Sequence, residues 1–184
     1  MARIAIVGDG PGGLSAALFL AKNGHSVTVH GDDSTAMHHA YLHNYLGIPE
    51  IDGSRFQVIA RRQVEEHGAS IRAGRVTAAE AGGDRVRLTL DDGTTAEADY
   101  LLLSEGKKPE LAQSMGLKFQ GGAVAVDADQ RTSLPRVYAV GRSTRPTRSQ
   151  AIISAGAGAA AALDILAREA GEDVQDWDTP PKDS

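Results

Sequence analysis

The sequence of 184 residues contains no cysteine, few aromatic side chains and no long uncharged apolar segment. The absence of cysteine excludes disulfide bonds, zinc–thiolate sites, iron–sulfur ligation and a redox relay between cysteines of this chain. Because no charge-free apolar run approaches about 18 residues, we expect no membrane-spanning helix and no membrane partner. The chain passes directly from MAR into a strand-like IAIVG, so we expect no secretory signal and a cytoplasmic location.

Charge and glycine content narrow the function further. A formal net charge of −5 argues against a nucleic-acid-binding protein. The composition is 41% hydrophobic and 23% charged, which is typical of a globular domain. Glycine is abundant, with 21 residues, and a glycine-rich chain can pack its backbone closely against itself or against a flat ligand.

The first thirty residues have the pattern of a βαβ unit. The run RIAIVG at residues 3–8 predicts a buried strand, helical periodicity runs from Leu14 to Asn23, and SVTVH at 26–30 predicts a second strand. Ser54 and Gln57 have capping-box spacing and predict a helix to about His67. Strand patterns between residues 76 and 99 are joined by Gly82-Gly83 and by Asp92-Gly93, and they predict an antiparallel meander.

Glycines at the first strand-to-helix turn form the pattern Gly8-x-Gly10-x-x-Gly13, the fingerprint of a dinucleotide-binding turn. The first glycine allows a tight turn, the second lets backbone approach a pyrophosphate, and the third lets helix and strand pack closely. The alternative is a glycine-rich turn that binds no ligand. With the strand and helix in the right places, the pattern predicts an α/β fold, Rossmann-like, with a parallel central sheet, flanking helices and the meander.

The acid that usually binds the adenosine ribose is displaced in this sequence. Gly31 stands where the end of the second strand usually carries Asp or Glu, and Asp32 and Asp33 follow at once. Either carboxylate could reach a ribose, and both could equally be turn residues.

Four segments together resemble the FAD domain of low-molecular-weight thioredoxin reductases, within the two-dinucleotide-binding-domain flavoproteins. They are GDGPGGLSAALFLAKNG, DDGTTAEADYLLLSEG, RTSLPRVYAVGR and SQAIISAGAGAAAALDIL, in the order in which that family has them. The resemblance implies a single FAD-binding domain over residues 1–171, followed by an acidic, flexible tail at 172–184. It also implies a homodimer.

The glycine motif and the resemblance together place a set of residues around an FAD cofactor. These are Gly8, Gly10, Pro11, Gly12, Gly13, Gly31, Asp32, His39, Val76, Ser104, Gly106, Gly141, Arg142, Gln150 and Ala151. In the resembled family, the helix that begins at Gln150 and Ala151 directs its amino terminus at the flavin, where backbone N–H groups stabilise a reduced ring. The alternative is a buried helix whose small residues serve close packing.

Two departures from the family bear on function. Only about 30 residues separate Gly106 from Val137, where the family inserts its NADPH domain with a Cys-x-x-Cys dithiol. We therefore expect neither NADPH binding in the family's way nor reduction of thioredoxin through a dithiol of this chain. The family's Gly-Asp is Gly141-Arg142 here, and arginine pairs with a phosphate oxygen rather than accepting a ribitol hydrogen bond.

Two further clusters leave several interpretations open. His38, His39 and His43 could bind a metal, lie beside the flavin, or be loop residues that pack with Tyr41 and Tyr45, and we expect no metal because an acidic third ligand is missing. Five arginines occur in a stretch without an acid, and they could clamp FAD phosphates, dock an acidic electron carrier, or pair with the acidic tail. They are Arg131, Arg136, Arg142, Arg145 and Arg148.

The sequence therefore predicts a stand-alone FAD-dependent oxidoreductase that uses an external electron donor and acceptor, either a protein or a small molecule. A non-catalytic FAD-binding module, such as a redox sensor or a subunit of a complex, is the alternative. A third possibility is a fold that has lost FAD through the changes at Gly31 and Arg142.

Overall fold

The computed structural model describes residues 1–179. They form four α-helices, a five-stranded sheet, a three-stranded sheet and two two-stranded sheets. The helices are α1 (Pro11–Lys22), α2 (Gly53–Glu66), α3 (Glu110–Ser114) and α4 (Ala151–Ala170). The strands are β1 (Arg3–Val7), β2 (Ser26–His30), β3 (Tyr41–Leu42), β4 (Ile51–Asp52), β5 (Ser70–Arg72), β6 (Val76–Gly82), β7 (Arg85–Leu90), β8 (Thr95–Ala98), β9 (Tyr100–Leu103), β10 (Phe119–Gln120), β11 (Ala123–Val124) and β12 (Val137–Ala139).

The central sheet is parallel throughout, with the strand order β12-β9-β1-β2-β5. Strand β1 is apolar after Arg3, and all four residues of β9 are apolar and buried. Both faces are covered: α1, α2 and α4 contribute to the core on one side, and the β6-β7-β8 meander with α3 covers the other. Strands covered on both faces have continuous rather than alternating hydrophobic patterns, as β1 and β9 do. The α/β fold with its parallel sheet and meander is confirmed.

Helices α1 and α4 touch along their backbones. A Cβ built on Gly158 of α4 would overlap the carbonyl oxygen of Gly12 in α1. In the part of the chain that the structure describes, α4 is the one helix long and apolar enough to cross a membrane by length and composition. It packs on α1, and its buried Asp164 accepts hydrogen bonds from Tyr138 and Arg168. These contacts identify α4 as a core helix of this domain.

The predicted start of the second helix needs a correction. Asp52, rather than Ser54, is the N-cap of α2, and its carboxylate accepts hydrogen bonds from the backbone N–H groups of Ser54 and Arg55. Gln57 does not complete a capping box, because its side chain is buried and its Nε2 donates to the carbonyl oxygen of Asp9 at 2.6 Å. The Gln57 side chain therefore makes a tertiary contact instead of the capping contact that its spacing from Ser54 predicted.

The first part of the acidic tail lies against α1. Lys22, in the last turn of α1, pairs with Asp176 at 3.1 Å and with Asp178 at 2.5 Å, and Val174 packs against the core. The pairing of these two carboxylates with the arginine-rich stretch, one of the interpretations above, is therefore wrong. Residues 180–184 of the predicted tail lie outside the described residues.

Candidate functional site

The turn between β1 and α1 brings three chain segments into backbone contact. Gly8 has φ +99°, and a Cβ there would overlap the carbonyl oxygen of Ser104 at the end of β9. A Cβ on Gly13 would likewise overlap the carbonyl oxygen of Gly8. Both glycines are therefore required by space, as expected for the first and third glycines of a dinucleotide turn.

The amino terminus of α1 is open to an anion. Gly10 is the N-cap and Pro11 the first helical residue, with no side-chain cap and no acidic residue in the first turn. The backbone N–H of Gly13 donates to the Ser104 hydroxyl at 3.2 Å. The Gly12 backbone N–H and the positive end of the helix dipole suit a phosphate group.

A cleft of about 650 Å³ opens beside this turn at the carboxyl ends of the sheet strands. It brings together Gly8, Gly31, Asp32 and Val76, four of the residues predicted from sequence. Open α/β sheets bind ligands at this edge.

Two ionisable groups that sequence reasoning did not select also line this cleft, Glu105 and His30. Burial raises the pKa of Glu105, although its carboxylate accepts hydrogen bonds from the N–H groups of Leu111 and Ala112 at the start of α3. Burial and the nearby Arg72 lower the pKa of His30, so this imidazole is neutral at pH 7. Because Glu105 accepts two hydrogen bonds from α3, it anchors that helix at the rim of the cleft.

The second half of the predicted site lies where β9 and β12 end. Gly141 follows β12 with φ +76°, and Gly106 follows β9 with φ +71°. Gly141 lines a further cleft of about 410 Å³ together with Thr144, Ile153 and Gly156. The cleft adjoins the first turns of α4, whose N-cap Gln150 and first residue Ala151 leave its amino terminus without a side-chain cap or an acid.

The arginine-rich stretch divides into two parts. Arg131 pairs with the buried Asp164, and Arg136 lies over the Tyr100 ring at 5.1 Å from its centroid. The other three side chains are exposed and form no ion pair within residues 1–179; they are Arg142, Arg145 and Arg148. A contact between Arg142 and a bound FAD stays a prediction.

The histidine-rich loop does not gather its side chains at one point. His38 contacts the Ser54 hydroxyl at 2.9 Å and the carbonyl oxygen of Asp33 at 2.8 Å. His43 stacks against Tyr41 with ring centroids 4.8 Å apart, and His39 is exposed. A role of His39 beside a flavin stays a prediction, and the contacts of His38 are those of a loop residue.

The arrangement fits an FAD. Two glycine turns with positive φ, at Gly8 and Gly141, stand at the carboxyl ends of β1 and β12, the two strands that flank β9 in the parallel sheet. Helix α1 directly follows the Gly8 turn, and α4 begins at Ala151, beyond the Gly141 turn. Neither helix has a side-chain cap, and the two helices touch at Gly12 and Gly158. An extended dinucleotide could therefore run from the larger cleft across the α1 terminus towards α4.

Sequence reasoning also missed the buried cluster around Asp9. This residue is 4% exposed, and its Oδ2 accepts hydrogen bonds from the backbone N–H of Asp33 at 3.0 Å and from the Arg61 guanidinium. The signal was an acid inside the glycine motif. Its partners on α2 lie about fifty residues away, beyond the reach of local patterns.

Comparison with known proteins agrees with this geometry. Residues 46–162, more than half of the chain, match the family described as "Pyridine nucleotide-disulphide oxidoreductase". An NADH oxidase of Streptococcus pneumoniae serotype 4 is 30% identical over 141 residues, which are 76% of this chain. The match covers 28% of that protein, so the chain spans just over a quarter of the length of this curated relative.

Solved structures share the fold. A thioredoxin reductase from Gloeobacter violaceus superposes with a TM-score of 0.86 and 16% identity, covering 98% of this chain and 99% of that one. A ferredoxin-flavin thioredoxin reductase from Clostridium acetobutylicum gives a TM-score of 0.79 and 18% identity, covering 93% and 99%. At these identities the likeness shows the fold.

Proposed function

Since the chain belongs to the pyridine nucleotide-disulphide oxidoreductase family, we propose that it binds one FAD and works as an oxidoreductase with an external electron donor and acceptor. The observation that carries the proposal is the β1–α1 turn. Its glycines are held in backbone contact with β9, its helix terminus is uncapped, and it opens on a cleft at the carboxyl edge of the sheet.

Each part of the site has a role toward the cofactor. The Gly8–Gly13 turn and the α1 terminus would hold the pyrophosphate, because backbone N–H groups there face an open, positively polarised end. The cleft with Gly31 and Val76 would hold the adenosine. Gly141 and the amino terminus of α4 would hold the ribitol and the isoalloxazine, and Arg142 would pair with a phosphate oxygen of the cofactor.

When bound, FAD supplies the redox chemistry, and the protein orients it and tunes its electronics. The uncapped α4 terminus has no acid in its first turn. It would therefore stabilise negative charge on a reduced ring through its backbone N–H groups and the helix dipole.

We expect the purified protein to carry non-covalent FAD in a ratio near one per chain. Cofactor released by heat is identified by chromatography against FAD, FMN and NAD standards. FMN, NAD or no cofactor in a well-folded protein, even after incubation with FAD, would overturn the proposal. Anaerobic titration with reductants then separates an oxidoreductase from a non-catalytic FAD-binding module.

The donor is proposed to lie outside this chain. The connection between Gly106 and Val137 holds only α3 and the β10–β11 hairpin, which leaves no room for a second dinucleotide-binding βαβ unit. One structural neighbour is a ferredoxin-flavin enzyme by its description. The exposed Arg145 and Arg148 offer a cationic surface to an acidic carrier protein, and a small-molecule redox partner is the alternative.

NADPH should reduce the flavin poorly, because the internal segment that would hold a nicotinamide domain is absent. The measurement is flavin absorbance after addition of micromolar NADPH under argon. Dithionite in the same cuvette serves as the control, since it reduces any accessible flavin. Rapid, saturable bleaching by NADPH would contradict the expectation.

Assembly and location are further parts of the proposal. The resemblance to thioredoxin reductases supports a homodimer in the cytoplasm. The net charge of −5 argues against a nucleic-acid partner, and we propose no membrane partner. Light scattering of the holoprotein and fractionation of cells test these two points.

A further inference from the structure

Gly31, the residue that follows β2, has no room for a side chain. A Cβ built on Gly31 would lie 2.5 Å from Cγ, 2.6 Å from Cβ and 2.8 Å from Oδ1 of Asp9. The backbone of Gly31 is not in the left-handed region, so space and not conformation requires glycine here. The position that usually carries the ribose acid is thus filled by the side chain of Asp9.

The Asp9 carboxylate is fixed in this place. Its Oδ2 accepts from the backbone N–H of Asp33 and from Arg61, and its own carbonyl oxygen accepts from the buried Gln57. A carboxylate has two acceptor oxygens, and Oδ1 accepts no hydrogen bond from any residue of the described range 1–179. Asp9 lines the 650 Å³ cleft together with Gly31.

The two acids that follow Gly31 are engaged elsewhere. Asp32 accepts from the backbone N–H of Gly74 at 3.0 Å, which ties the end of β2 to the loop before β6. Asp33 has φ +56° and lies 3.1 Å from the His38 imidazole. Their contacts are those of turn residues.

We propose that Asp9 is the acid that recognises the adenosine ribose of FAD, reaching it from the β1–α1 turn instead of from the end of β2. The inference rests on the proposed function, because it names the residue that fixes the adenosine half of that cofactor. The free Oδ1 would accept a hydrogen bond from a ribose hydroxyl, and Arg61 and the Asp33 amide hold the carboxylate in place. In this chain the acid thus lies at position 9, inside the glycine motif, and glycine lies at position 31, where the acid usually stands.

The direct test is a double-mutant cycle on the cofactor. FAD and analogues lacking the 2′- or 3′-hydroxyl of the adenosine ribose are titrated into cofactor-free full-length parent and Asp9→Asn, with flavin fluorescence as the readout. For the parent, we expect loss of the bonded hydroxyl to weaken binding by about 10- to 150-fold, the range for a hydrogen bond to a charged group. For Asp9→Asn, FAD and that analogue should bind within about threefold of each other.

A purely structural role of Asp9 gives a different result. It would weaken FAD and both analogues equally, so the preference for the hydroxyl would survive in Asp9→Asn, and the inference would be wrong. The same holds if Asp32→Asn, and not Asp9→Asn, abolishes the preference. If the parent binds no flavin at all, the proposed function itself fails, and this outcome is distinct from the other two.

A second test moves the acid from position 9 back to position 31. Gly31→Glu alone should lose FAD binding, because its Cβ meets Asp9. Asp9→Ser together with Gly31→Glu should recover binding to within about tenfold of the parent and restore the preference for the ribose hydroxyl. Circular dichroism and the melting temperature of each cofactor-free variant show whether it folds, and a folded double variant without the preference would contradict the inference.

Discussion

Gly158→Ala should lower the free energy of unfolding by about 2 kcal/mol or more. A single added methyl would overlap the Gly12 carbonyl oxygen and would come within 3.1 Å of the Ala16 backbone nitrogen. These are backbone atoms of α1, which cannot rotate away as a side chain does, so the two helices must separate. Overpacking of a close-packed interior costs about 1–3 kcal/mol. Here the added methyl lies where α1 and α4 approach each other most closely. Urea unfolding followed by circular dichroism measures the change.

Gly156→Ala is the matched control, two residues away on the same helix. A Cβ at Gly156 meets nothing within 4 Å, so the substitution should raise the free energy of unfolding by about 0.5–1 kcal/mol through helix propensity. Opposite signs for the two variants are the expected result. If Gly158→Ala is as stable as Gly156→Ala, the close contact between α1 and α4 is wrong.

The parts of the fold that follow local patterns could be predicted from the sequence. The glycine motif fixed the β1–α1 turn because its spacing reflects contacts within one βαβ unit. The meander turns were equally local: Gly83 and Gly93 both have positive φ, as short hairpin turns require. The apolar run of β9 marked a strand buried on both faces.

The features that sequence reasoning missed depend on contacts between distant segments. Gln57 had the spacing of a capping residue, yet its side chain donates a hydrogen bond to the Asp9 carbonyl oxygen. Gly31 was interpreted as a lost ribose acid, whereas the structure shows that Asp9 occupies its side-chain space. Neither contact has a local signature, because α2 and the β1–α1 turn meet only after the sheet has formed.

The acidic tail and the arginine-rich stretch show the same limit. Opposite charge suggested that the two could pair, but Lys22 takes Asp176 and Asp178 because α1 ends beside the tail. Arg131 instead turns inward to Asp164 on α4. Net charge of a segment therefore did not indicate which partner lies within reach.

Asp164→Asn should destabilise the protein by about 1.5–3 kcal/mol, the range for losing a hydrogen bond to a charged group. The side chain of Asp164 is 7% exposed and accepts hydrogen bonds from Arg131 at 2.8 Å, Arg168 at 2.9 Å and Tyr138 at 2.5 Å. An asparagine would leave Arg168 without its carboxylate partner and would leave Arg131 with only Asp127 and Asp129. Because Tyr138 belongs to β12, the cluster also joins α4 to the sheet.

Asp129→Asn provides the comparison, since it removes a half-exposed carboxylate that pairs with the same Arg131 at 3.1 Å. A surface ion pair contributes about 0–1 kcal/mol, so this variant should unfold at nearly the urea concentration of the parent. Equal losses for the two substitutions would show that the burial of Asp164 does not matter.

The contribution of Asp164 should also disappear in acid. Burial opposes the charged form, but the hydrogen bonds from Arg131, Tyr138 and Arg168 outweigh it and lower the pKa of Asp164 from 3.8 to about 2. A depressed pKa in the folded state stabilises the protein above the unfolded value, and this stabilisation is lost as the pH falls from about 4 to 2. The shift corresponds to about 2 kcal/mol. The difference in unfolding free energy between the parent and Asp164→Asn should therefore shrink by about that amount between pH 5 and pH 2. A difference independent of pH would show that folding does not lower the pKa of Asp164.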